Sequence, residues 1–131
     1  MGISAFAAIG AGAMFGAWVR WLLGMLLNPV FPTVPLGTLA ANLAGSFIMG
    51  VSMVLVAQST AVSPELRLAL MTGFLGALTT FSTFSAEMVT LIRRGEYLWA
   101  AGAVSAHVAG ALLMTGLGIL LAQLVRSWSR L

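Results

Sequence analysis

The stretch GFLGALTTFSTFSAE, Gly73–Glu87, lies within a hydrophobic segment long enough to cross a bilayer, yet it is not the sequence of a plain membrane helix. Gly73 and Gly76 weaken a helix, and Thr79 and Thr80 can hydrogen-bond to backbone in place of it. A break here would release carbonyl oxygens at membrane depth. Such oxygens persist only if other protein or a bound cation satisfies them. Past the threonines, Phe81 and Phe84 are spaced to share a helical face, and Ser82 and Ser85 repeat that spacing on the adjacent strip. An aromatic ring has a positive edge, so this arrangement suits contact with an anion. Packing is the competing reading of phenylalanines at that spacing.

The rest of the chain sets this stretch in a membrane. Of 131 residues, 60% are hydrophobic and only 7% charged, with a mean hydropathy of +1.06. A soluble domain carries about a quarter charged residues. The net charge of +3 comes from six arginines against three glutamates, too few and too scattered for a nucleic-acid footprint. There is no cysteine, which removes disulfide and thiol chemistry. The opening MGISAFAAIG has no basic residue ahead of its apolar run, and Phe6 stands where a myristoylation signal needs Ser or Thr. The first segment is therefore expected to be a retained span.

Punctuation divides the chain into an all-α membrane protein with spans at about Ile3–Leu27, Leu36–Ala57, Glu65–Arg93 and Tyr97–Val125. Each approaches or exceeds the roughly 20 residues a crossing needs. The proline-rich NPVFPTVP ends the first span. Ser63 and Pro64 can cap and begin the third, and Gly95 can close it. With the termini on one side, Arg67, Arg126 and Arg130 fall there, and Arg93, Arg94 and a snorkelling Arg20 fall on the other. That near balance gives almost no positive-inside bias. Insertion in both orientations, followed by antiparallel pairing, is the expectation; a single topology from a small bias is the alternative. Small-residue pairs such as Gly12-xxx-Gly16 and Ala41-xxx-Gly45 supply close-packing faces.

Polar residues at membrane depth tend to mark pathways. In GTLAANLAGS, Asn42 has Thr38 and Ser46 one turn away on either side, so amide and hydroxyl donors share a face. Interhelical bonding is the plainer reading of a lone asparagine. Thr115 can extend a hydroxyl track or bond its own helix. Glu87 can cap polar groups or carry protons, and His107, with no ligand partners nearby in sequence, reads as a packed, hydrogen-bonded residue. No nucleophile–base pair, carboxylate pair, phosphate loop or metal cluster points to an enzyme.

GTLAANLAGSF in the second span, the Gly73–Glu87 motif in the third and Arg20 in GAWVRW resemble the Fluc (CrcB) family of fluoride channels. The resemblance extends over nearly the whole chain in length, spans, motif order and charge bias. It implies an antiparallel dual-topology homodimer with two fluoride pores and a third helix broken near mid-membrane. It assigns Asn42 to the pore wall, Phe81 and Phe84 to aromatic contacts, and Ser82, Ser85 and Thr115 to a hydroxyl track. Arg20 matches a vestibule arginine. A structural, untransported sodium ion would sit on the dimer axis, held by the backbone carbonyls of Gly76 and Thr79. Thr38 and Glu87 are left without a settled role, and Ala111 stands where some relatives have Ser. The alternatives are a dual-topology proton-coupled exporter of small cations, which wants a membrane-embedded acid, and a packing subunit without transport.

Overall fold

Ile3–Val30, Leu36–Leu55, Pro64–Arg93 and Tyr97–Trp128 are the helical segments long and apolar enough to cross a membrane in the computed structural model. The model describes residues 2–57 and 59–128; Arg130, counted among the charges above, lies outside the described residues. Helix α1 (Ile3–Leu27) runs into a 3-10 turn at Asn28–Val30, and α2 spans Leu36–Leu55. The third segment comprises α3 (Pro64–Arg67), a π-helical stretch Leu68–Phe74, α4 (Leu75–Leu78) and α5 (Phe81–Arg93). Helix α6 (Tyr97–Trp128) completes the chain.

Local chemistry accounts for the ends. Pro35 precedes α2 without a capping side chain, and Asn28 supplies one from the neighbouring turn, its Oδ1 accepting from Gly37 N–H at 2.8 Å. Helix α2 stops short of Ala57 because the amides of Val56 and Ala57 both turn onto Ser52 O, each at 2.9 Å. Ser63 Oγ accepts from Leu66 N–H at 3.2 Å ahead of Pro64. Gly95, at φ 75°, closes α5: its N–H donates to Ile92 O at 3.0 Å and Glu96 N–H to Leu91 O at 2.9 Å. That is the left-handed glycine closure expected of a helix C-terminus. Helix α6 passes Val125 to Trp128 because Arg126 and Ser127 do not interrupt it, Ser127 Oγ bonding Leu124 O at 2.8 Å.

The segments alternate in direction. Ser4 Oγ on α1 donates to Glu65 on α3 at 3.3 Å, bringing the starts of the first and third segments together. At the other end, Phe31 and Trp99 meet at 5.2 Å between ring centroids. Packing relies on backbone proximity more than on large side chains. A Cβ at Gly12 or Gly16 would collide with backbone at Ala69 or Phe74, and one at Gly73 with Ile9 O. Gly50 and Gly118 bring α2 and α6 equally close, against Thr115 O and Phe47 O respectively. Small residues let helix backbones approach in lipid, where apolar burial alone gives little drive.

Two small apolar clusters result. One joins Val34, Phe84, Met88, Leu91, Ala100 and Ala103; the other joins Ala41, Leu75 and Leu78. Between them the backbone leaves the helix at Thr79 (φ −81°, ψ 153°) and Thr80 (φ −152°, ψ 113°). Thr80 then restarts it, its Oγ1 accepting from Thr83 N–H at 3.1 Å.

Substituting Gly16 or Gly50 with leucine should cost roughly 1–3 kcal/mol or more through overpacking. Leucine at Gly10 or Gly102, where a Cβ meets nothing within 4 Å, should be neutral. Thermal unfolding in detergent checks this: equal effects at all four positions would contradict the packing described.

Candidate functional site

The extended residues Thr79 and Thr80 interrupt backbone bonding in a segment otherwise bonded to itself. Thr79 N–H still reaches Leu75 O at 3.1 Å, and its Oγ1 donates to the same carbonyl at 2.9 Å. Thr80 N–H does not return to the carbonyl of Gly76 but donates to Asn42 Oδ1 at 2.7 Å. Asn42 Nδ2 in turn donates to Thr80 O at 3.2 Å. The side-chain amide thus bonds the peptide groups on both sides of one residue, as a neighbouring strand would. An unpaired backbone group in an apolar interior costs several kcal/mol, so this pairing is what lets the interruption exist inside the bundle.

The remaining hydrogen of Nδ2 points to His107 Nδ1 on α6, 3.2 Å away. The imidazole is 5% exposed and lies tilted against the Phe84 ring, centroids 4.6 Å apart. Phe84 meets Phe81 at 5.6 Å, but the two differ in burial: Phe84 is 8% exposed and Phe81 78%. One turn from Asn42, Thr38 Oγ1 donates to Glu87 Oε1 at 2.5 Å, while Glu87 Oε2 is buried without a partner among the described residues. A polar layer from α2, α5 and α6 therefore crosses the bundle between the apolar clusters.

Two grooves open from this layer. The first, about 460 Å³, lies among α2, α5 and α6, with Asn42, Phe81, Phe84, His107 and Thr115 on its walls. The second, about 500 Å³, is bordered by Arg20, Asn28, Thr38 and Thr83. Thr80 lines both and stands between them.

The structure brings together most of the residues singled out by sequence. Asn42, Phe81, Phe84, Thr79 and Thr115 share the first groove, and Arg20 and Thr38 the second. Ser82 and Ser85 are not on the lining of either; Ser82 Oγ lies 3.3 Å from Thr80 Oγ1 at the restart of α5. Thr115 donates to backbone, reaching Ala111 O at 2.9 Å and Ser46 O at 3.2 Å. Both Nδ2 hydrogens of Asn42 are spent on Thr80 and His107, so the amide acts first as a clamp. Gly76 is exposed and lies outside the grooves. His107 is packed and hydrogen-bonded, as its sequence reads, though its partner Asn42 could not be named from its own segment; sequence reasoning missed Asn28, whose cap acts across a loop.

These features define a multi-pass helical membrane protein with polar grooves at the interruption of one span. The family model described as CrcB-like protein, Camphor Resistance (CrcB), matches residues 7–119. A relative from Nitrosospira multiformis named fluoride-specific ion channel FluC is 56% identical over 92% of this chain and 94% of its own. One of the same name from Pseudomonas putida is 59% identical over 86% and 88%, and one from Dechloromonas aromatica 51% over 95% and 92%. The chain belongs to the CrcB family, and it is a multi-pass protein of the bacterial cell membrane.

Asn42→Leu should strip both partners from Thr80 and destabilise the fold by about 1–3 kcal/mol for each buried group left unpaired. The Thr80 amide should exchange with solvent deuterium at least ~10-fold faster, since 1.4 kcal/mol is a factor of ten. Asn42→Asp keeps an acceptor for Thr80 N–H and should fall between. Unchanged protection of Thr80 in the leucine variant would contradict the clamp.

Proposed function

We propose that this chain forms a fluoride-selective passive channel that exports fluoride from the cytoplasm and so lowers its toxicity. The observation that carries this reading is the close relationship to proteins named fluoride-specific ion channels, over nearly their whole length. The groove chemistry supports it. Fluoride is small and strongly hydrated, so passage requires its water to be replaced by N–H and O–H donors and by the positive edges of rings. Phe81 and Phe84 line the first groove, where their rings could turn positive edges to an anion. Arg20, in the second groove, adds a positive charge that raises local anion concentration. A membrane potential negative inside then drives the anion out, with about 2.3 kcal/mol per charge per 100 mV.

A dimer accords with the shape of the site. The first groove is open along one side, where Phe81 is 78% and Leu112 71% exposed, so a second copy would complete its wall. The balance of arginines favours the antiparallel arrangement, in which two pores would be lined by both copies. In that assembly the interruption at Thr79 and Thr80 would lie near mid-membrane on the two-fold axis.

The same reading assigns a structural sodium ion to the backbone carbonyls of Gly76 and Thr79 from both copies. The fit is chemical. Thr80 N–H bonds Asn42 and leaves the Gly76 carbonyl without its helical donor. Gly76 is exposed, and a Cβ there meets nothing within 4 Å. Neutral carbonyl oxygens suit a hard monovalent cation, and among the described residues no group of His, Cys, Asp and Glu offers a rival metal site.

Phe81→Ile or Phe84→Ile preserves bulk and removes the ring edge. Fluoride efflux from liposomes should fall by roughly 10-fold or more, the scale of a lost preorganised contact, while the dimer persists in detergent. Unchanged efflux in both variants would remove the phenylalanines from the pathway. Gly76→Leu, which has free space within one copy, should weaken the dimer and stop flux. An intact, active Gly76→Leu dimer would refute the carbonyl cage.

A further inference from the structure

The connection NPVFPTVP between α1 and α2 carries Pro29, Pro32 and Pro35. Each proline fixes its own φ and restricts the residue before it, so the connection has little freedom to lose on folding. Asn28 Oδ1 draws its ends together by accepting from Gly37 N–H at 2.8 Å, and Phe31 meets Trp99 of α6 at 5.2 Å between centroids. A connection held in this way can press on what it packs against. That is the apolar cluster of Phe84, Met88, Leu91, Ala100 and Ala103, to which the connection contributes Val34, with Phe31 packed alongside.

Phe84, Met88 and Leu91 recur at helical spacing and share one face of α5. Side chains on a helix lean toward its N-terminus, so Met88, buried one turn later, leans toward Phe84. Among the described residues, Phe84 is the one member of this cluster that also lines the first groove. Its ring has a packed side and a groove side, and beside the groove it meets Phe81 at 5.6 Å and His107 at 4.6 Å. Interiors are close-packed, so loss of even one methyl group behind the ring would be felt by it.

We propose that the connection between α1 and α2 is a wedge that seats Phe84. Val34 and Met88 set how far the ring can turn, and thereby how well the groove discriminates fluoride from larger halides. The inference rests on the fluoride-channel reading above and adds positioning residues that never touch the ion. A ring held at one angle keeps the passage at one width and needs little ordering at the moment of contact. A ring free to swing surrenders that width. Chloride, which is larger and sheds its water more readily, gains more from the extra space than fluoride does. Loosening the wedge therefore costs selectivity before it costs fluoride flux.

Val34→Ala tests this against Val54→Ala, the same truncation at a buried valine of α2 that belongs to neither cluster and lines neither groove. In liposomes, Val34→Ala should lower the ratio of fluoride to chloride efflux roughly 10-fold or more, the scale on which apolar pockets discriminate. Val54→Ala should leave the ratio at the wild-type value, as should the conservative Val34→Ile. The ring itself is read by 19F spectra with 3-fluorophenylalanine at position 84. A seated ring gives separate signals for its two meta orientations, and a swinging ring gives one averaged signal. Wild type and Val54→Ala should show separate signals, and Val34→Ala the averaged one. Either readout unchanged in Val34→Ala, or an equal loss of selectivity in Val54→Ala, would overturn the wedge and leave the channel reading standing. A wild-type protein that passes no fluoride would instead overturn the channel reading, and this inference with it.

Discussion

The carboxamide of Asn42 takes both backbone groups of Thr80, and the interior of the bundle is arranged around that pairing. A helix in lipid satisfies its own backbone; two extended residues within one do not. Without an outside partner, Thr79 and Thr80 would be pulled back into continuous helix, with Phe81 and Phe84 rotated accordingly. With Asn42 in place, the segment stops at Leu78, turns and restarts from the Thr80 hydroxyl. The change of direction sets the two phenylalanines beside the groove and frees the carbonyl of Gly76. One side chain on α2 thereby links the two phenylalanines, the Gly76 carbonyl and the imidazole of α6.

Support for this arrangement comes from the close backbone approaches. Gly12, Gly16 and Gly73 bring α1 against the π-helical stretch, and Gly50 and Gly118 bring α2 against α6. Asn42 reaches Thr80 and His107 together only because the helices carrying them are this close. The polar layer lies between two apolar clusters, which fix its side chains from either side. In a hydrocarbon surrounding, unfilled hydrogen bonds in such a layer are conspicuous, and Glu87 Oε2 and His107 Nε2 are its atoms without a partner among the described residues.

Much of this could be read in the chain, for physical reasons. Apolar runs of bilayer length bounded by proline and glycine delimit the spans, and the Ser63–Pro64 start and Gly95 closure are local chemistry with short-range signatures. Thr38 and Asn42 sharing a face follows from helical spacing alone. The π-helical winding of Leu68–Phe74 has no comparable signature, because it accommodates the close contact with α1, a tertiary constraint. Partners distant in sequence were equally hidden: Asn42 with His107, Asn28 with Gly37, Thr38 with Glu87. Spacing places Ser82 and Ser85 on one strip, and the change of direction at Thr80 leaves that strip off the lining of both grooves.

A passive pore and a coupled transporter differ in whether charge moves uncompensated. The direct test is fluoride efflux from liposomes containing the purified wild-type protein, followed with a fluoride electrode, with and without a potassium ionophore at fixed pH. A channel predicts fluoride release that begins when the ionophore supplies compensating charge, and no matching movement of sodium or chloride. Efflux that proceeds at full rate without the ionophore, matched by stoichiometric sodium, proton or chloride movement, would contradict the account.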